Sequence, residues 1–110
     1  MIQERIAKIE ATLKDAVAVP EETRAALLGL LADLKAEVGP LAGTHGEDAQ
    51  SIAHFASASV HEATRSARKP DQTDAALKGL TASVEGFEAS HPRLVEVVNR
   101  IAVTLSNMGI

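Results

Sequence analysis

The stretch that decides the fold is residues 87–110, FEASHPRLVEVVNRIAVTLSNMGI. Leu94, Val98, Ile101, Leu105 and Met108 follow one another at spacings of four, three, four and three. That is the repeat of one face of an α-helix. Ser90-His91-Pro92 stands just ahead of it. A residue before proline is pushed out of helical geometry, and the fixed φ of proline suits a first helical position. The tripeptide therefore reads as a helix start, with Ser90 or His91 as the cap, and Gly109 sits where a helix would stop. A histidine there invites a reading as general base, but the boundary role accounts for it without any chemistry.

The same periodicity runs upstream. Ile2, Ile6, Ile9, Leu13 and Ala16 repeat at four, three, four and three, which predicts a helix over about 2–17 with a narrow apolar seam. Glu4 precedes Lys8 by four and Glu10 precedes Lys14 by four, the favoured order for helical ion pairs. Pro20 reads as the first residue of a second helix running to Val38, with Glu21 and Glu22 against the positive end of its dipole. Gly39-Pro40 is expected to stop it, and residues 39–46, GPLAGTHG, to form a flexible break between two halves of a single helical domain, 1–110. A third helix, about 47–66, is rich in Ala and Ser and carries only Ile52, Phe55 and Val60 as large apolar residues. Small residues bury little area each, so this helix should be the least stable or should lie against a partner helix. After a short basic linker, Asp71 is placed to cap a fourth helix reaching Ala89, with Asp74 completing an approximate capping box.

Composition narrows the function classes. The chain has 110 residues, no cysteine, Trp or Tyr, and only Phe55 and Phe87 as aromatics. Strands favour aromatic and β-branched residues, whereas Ala and Leu lead the helix scale, so the balance is helical. A chain this long buries roughly 65% of its extended surface, enough for a core but not for a deep enclosed active site as well. Without cysteine, disulfides, thiolate catalysis and Cys-ligated metal centres are excluded. The N-terminal stretch interleaves charge with Ile and Leu, so it reads as neither a signal peptide nor a membrane span, and the cytoplasm is the expected compartment. The net charge of −4 argues against nucleic acid, because phosphate contacts need clustered cations. The one basic knot, Arg65, Arg68 and Lys69, falls at a linker. No helix has the basic polar face of a membrane-surface binder.

No enzyme constellation survives inspection, and no cofactor is implied. His54 and His61 are seven apart, on one helix face but about 10 Å apart along the axis, too far to share one ion. They read as surface histidines, with a metal or ligand site completed by histidines from more than one chain as the alternative. His61-Glu62 opens like a zinc-protease motif, but position 65 is arginine and the second ligand is missing. Gly39, Gly43 and Gly46 match no phosphate loop.

Two stretches carry a resemblance to a known family. Phe87-Glu88-Ala89-Ser90-His91-Pro92-Arg93-Leu94, followed by Ile101-Ala102 and the ending Leu105-Ser106-Asn107-Met108-Gly109-Ile110, resembles domain of unknown function 4404. The resemblance covers roughly the last quarter of the chain; the first two helices match only in general character and the Ala- and Ser-rich middle hardly at all. It implies a small, soluble, bacterial helical protein, and it transfers no catalytic residue.

The expected fold is all-α, four to five amphipathic helices in antiparallel hairpins or a small bundle. Leu27, Leu28, Leu30, Leu31 and Leu34 span a wide arc on the second helix, and Leu94, Val95, Val97, Val98, Ile101 and Leu105 a matching one on the last. Each arc asks for partners on two sides, and a second copy of the chain is the simplest source of the excess. These eleven residues form the candidate interaction surface of a non-enzymatic scaffold or protein-interaction module, acting as a homo-oligomer, most simply a dimer, or on another protein.

Overall fold

The computed structural model describes residues 2–16 and 19–108. Among the described residues it holds five α-helices and no strand: α1 (Ile2–Asp15), α2 (Glu21–Thr44), α3 (Gly46–Thr64), α4 (Pro70–Ala82) and α5 (Pro92–Asn107). The all-α expectation holds. One apolar cluster draws on every helix.

The α1 seam packs as its spacing requires. Ile6, Ile9 and Leu13 are buried between α2 and α3, with Ile2 and Ala16 at the rim. The sequence reading carried this helix to about residue 17, which lies outside the described residues; α1 ends at Asp15. What secures its end is a side chain from the next helix. The Arg24 guanidinium donates to the carbonyl of Ala16 and, at 3.2 Å, to that of Val19, while Glu21 holds it at 2.6 Å. The last carbonyls of a helix lack intrahelical partners, and a cation also suits the negative end of the dipole. Pro20 is the N-cap of α2 rather than its first residue, with Glu21 and Glu22 in the first turn as expected.

The largest departure is at 39–46. α2 does not stop at Gly39-Pro40 but runs through to Thr44, with Pro40 inside the helix. A mid-helix proline costs about 3 kcal/mol because it removes one hydrogen bond and crowds the preceding turn. Val38 and Leu41 lie on either side of it and are both buried. Burying two such side chains contributes about 3–6 kcal/mol, enough to carry the helix across. Pro40 itself faces solvent, as does Ala36, whose carbonyl loses its partner to the proline. The flexible break is therefore a corner of one residue, His45, whose N–H donates to the Leu41 carbonyl at 2.7 Å and whose carbonyl accepts from Ala49 at 2.9 Å.

α3 lies at the centre and packs against all four other helices. Ala49, Ala53, Ala56, Ser59 and Ala63 are buried along it beside Ile52 and Val60. The partners it was expected to need are supplied by its own chain. α4 starts differently from expectation: Lys69 is the N-cap and Pro70 the first helical residue, which leaves Asp71 in the first turn instead of at the cap. α4 also ends at Ala82, not Ala89. Gly86, at φ 95°, reverses the chain, and its N–H is held by the Glu88 carboxylate at 3.0 Å. Val84 and Phe87 stay buried although the helix has ended. α4 and α5 are thus two helices packed on each other across a turn. α5 starts as read, with His91 as N-cap and Pro92 first. Leu94, Val98, Ile101 and Leu105 are buried, Met108 packs at the edge of the core, and Gly109 lies outside the described residues.

The α3–α4 contact depends on a missing side chain. A Cβ built on Gly79 would stand 2.4 Å from two atoms of the Phe55 ring. Gly79→Ala should therefore lower stability by about 1–3 kcal/mol through overpacking, read from chemical denaturation. With Phe55→Leu already in place the same change should cost clearly less; equal costs in both backgrounds would disprove the close approach.

A candidate interaction face on helices α2 and α5

The eleven candidate residues do not form one surface. Leu27, Leu31, Leu34, Leu94, Val97, Val98, Ile101 and Leu105 are buried in the core. The reason is geometrical. α2 packs against α1, α3 and α5, and α5 packs against α2, α3 and α4, so each wide arc finds neighbours on two sides within one chain. Only Leu28, Leu30 and Val95 remain partly exposed.

What is left open is narrower and includes a residue absent from the sequence-based set. Val103 on α5 is 59% exposed. It lies in a groove of about 820 Å³ between α2 and α5, with Leu30, Ala26, Val95 and Pro92 as further apolar lining. At about 100° per residue, Pro92, Glu96, Asn99 and Val103 fall within roughly 60° of one another, opposite Leu94, Val98, Ile101 and Leu105. Val103 could have been found in the sequence as a β-branched apolar residue out of phase with the seam. Charges border the groove. Glu96 and Arg100 pair at 2.9 Å along α5, and Arg93 reaches Asp33 of α2 at 3.9 Å.

The histidines divide into two groups. His54 and His61 are exposed, on the polar side of α3 as expected. They border one groove between α1 and α3, together with the cation Lys8, and the His61 Nε2 stands 3.9 Å from the Glu62 carboxylate. Among the described residues no group of three or more His, Asp or Glu side chains is placed to hold a metal ion. His45 and His91, far apart in sequence, come together around Phe87, with ring centroids 5.5 Å from the phenyl on each side and 6.2 Å from each other. That cluster was hidden because it needs the His45 corner, which the sequence reading made a loop.

Each of these two histidines has Nδ1 at 2.9 Å from the hydroxyl just before it, Thr44 or Ser90. Taken alone, Ser90-His91 looks like a nucleophile beside its base. The repetition argues otherwise. His45 and His91 are both helix N-caps with nearly the same backbone angles, φ −133° and −137°, ψ 59° and 62°. The shared contact follows from the shared conformation, and among the described residues no third group is hydrogen-bonded to either imidazole, as a catalytic arrangement requires. The basic knot is also partly spent on structure: Arg65 donates to Glu62 and to Gln72 of α4, both at 2.9 Å.

These features define a class, an all-α protein with five helices among its described residues and a large apolar side chain exposed on an open face of the last of them. No helix among the described residues is long and apolar enough to cross a membrane. A family model, domain of unknown function DUF4404, matches residues 29–110, and the chain belongs to that family. The likeness reaches well beyond the C-terminal quarter, through α3 and most of α2. No curated protein and no solved structure matches the chain.

The division between core and surface is testable residue by residue. Leu31→Ala should cost about 2–5 kcal/mol of unfolding free energy, as a large-to-small change at a fully buried site. Val103→Ala should stay within about 0.5 kcal/mol of the parent. A Val103 variant as damaging as the Leu31 one would mean that Val103 is not on the outside.

Proposed function

We propose that the protein is a non-enzymatic protein-interaction module of the bacterial cytoplasm, and that its binding surface is the α2–α5 face around Val103. The observation that carries this reading is the exposure of Val103 beside the partly exposed Leu30 and Val95, where the other large apolar side chains among the described residues are buried or partly buried. An apolar groove rimmed by charge is the form a helix-binding surface takes. The partner is protein, its own copy included, rather than nucleic acid or membrane, in keeping with the acidic charge balance. The groove is open and shallow, lined by side chains that pair with each other, which suits recognition of a surface better than chemistry on a small molecule.

A photocrosslinking amino acid at position 103, introduced in the native host, tests the reading. Adducts should form there and be absent when the same group replaces Lys78, an exposed residue on α4. Equal labelling from both positions, or none from either, would remove the α2–α5 face as a binding surface.

A further inference from the structure

On the outer face of α5, Val95 and Val103 are placed symmetrically about Asn99. Val95 and Val103 each lie four residues from Asn99, one on either side, and Glu96 and Arg100 lie between them with opposite charges. Asn99, Glu96, Arg100 and Val103 are exposed, and Val95 is partly so. From this we infer that the α2–α5 face binds a second copy of this chain, α5 against α5 in antiparallel register about Asn99. The inference rests on the interaction reading above and names its partner.

Reversal of one helix about Asn99 has three consequences at once. Val103 stands level with the partner's Val95, and Val95 with the partner's Val103, giving an apolar layer at each end. Asn99 meets the partner's Asn99 at the centre, where a single polar residue specifies register at some loss of stability. Glu96 and the partner's Arg100 fall on the same flank of the contact, within about one helical turn of each other. The intrahelical Glu96–Arg100 pair, 2.9 Å in the single chain, thus becomes a four-charge network across the two-fold axis. An unrelated partner would not need this reciprocity, whereas a two-fold contact uses the same patch twice and must be complementary to itself.

The area sets the expected strength. The 16 residues of α5 are about 24 Å long, and two neighbouring helices present a face about 20 Å wide. That gives roughly 500 Å² a side and about 1,000 Å² for the pair, at the low end for a specific interface. Dimerisation should therefore depend on concentration rather than be permanent.

Sedimentation equilibrium over a wide concentration range decides the matter. The parent should dimerise reversibly, and Val103→Asp should weaken the dimer about tenfold or more, since a buried charge replaces an apolar contact. Glu96→Arg and Arg100→Glu, each alone, should be monomeric, because like charges then face each other. An equal mixture of the two single variants should re-form a dimer containing one of each, and Glu96→Arg with Arg100→Glu in one chain should restore self-association. All the substituted residues are solvent-facing or flanking, and restoration by the second change separates a lost contact from a lost fold. A parent that stays monomeric, or single charge variants that dimerise as the parent does, overturns the inference. A monomer that still forms adducts of another mass at position 103 overturns self-pairing and leaves the interaction reading standing. A monomer without adducts removes both.

Discussion

The structure depends on how thin its central helix is. α3 carries Ala49, Ala53, Ala56 and Ala63 on its buried faces, with Ser59 as a further small residue. Four helices can close around it only because so little projects from its backbone. Small side chains contribute little burial each, so the energy of the arrangement comes from the large residues the neighbours aim inward: Ile6 and Leu13 from α1, Leu27 and Leu31 from α2, Leu80 from α4, and Leu94 and Ile101 from α5. α3 provides most of the space and its neighbours most of the bulk, with Ile52 and Val60 as its own large contribution. The same logic operates at Gly79, where the absent Cβ lets the Phe55 ring lie against α4. Close approach at one point and bulk at another are what interior packing density demands.

This explains which parts of the fold were legible in the sequence. A seam such as Ile6-Ile9-Leu13 or Leu94-Val98-Ile101-Leu105 is a local pattern, and a helix reads it correctly whatever lies on the other side. Pro92 after His91 is local too, since its constraint acts on the preceding residue. The larger error fell where a distant contact decided the outcome. Gly39-Pro40 is a strong local stop, but Val38 and Leu41 bury on the core, and that gain offsets the proline. Asp71 is a good cap by type, yet Pro70 is a better first residue and moves the cap two positions back, to Lys69. Val84 and Phe87 kept the helical spacing of α4 beyond its end, since burial requires a direction and not a conformation.

The candidate surface failed in part for the same reason. A wide apolar arc announces that a helix has two neighbours but does not say whose they are. On α2 and α5 the neighbours proved to be α1, α3, α4 and each other. The histidine cluster around Phe87 was out of reach for a related reason: two rings, on corners made by different helix pairs, meet only once those corners exist. Neither miss came from a wrong estimate of any residue's chemistry.

α1 bears on what the family relationship means physically. The family match begins at residue 29, inside α2, so α1 and the first turns of α2 lie ahead of it. Yet Ile6, Ile9 and Leu13 cover α2 and α3, and Arg24 ties the end of α1 to the start of α2. Residues 29–110 alone would expose the apolar surface that α1 now covers, on two helices, one of them the centre of the fold. In this protein the core of the matched region is thus completed by a helix that precedes it. α5 faces the opposite circumstance. Its inner face is fully covered by its own chain, while Val103 and the Glu96–Arg100 pair are left outside that cover. With the core closed by α1, the apolar surface that remains on α5 is no longer needed for folding, and a contact placed there can form and dissolve without disturbing the helices beneath it.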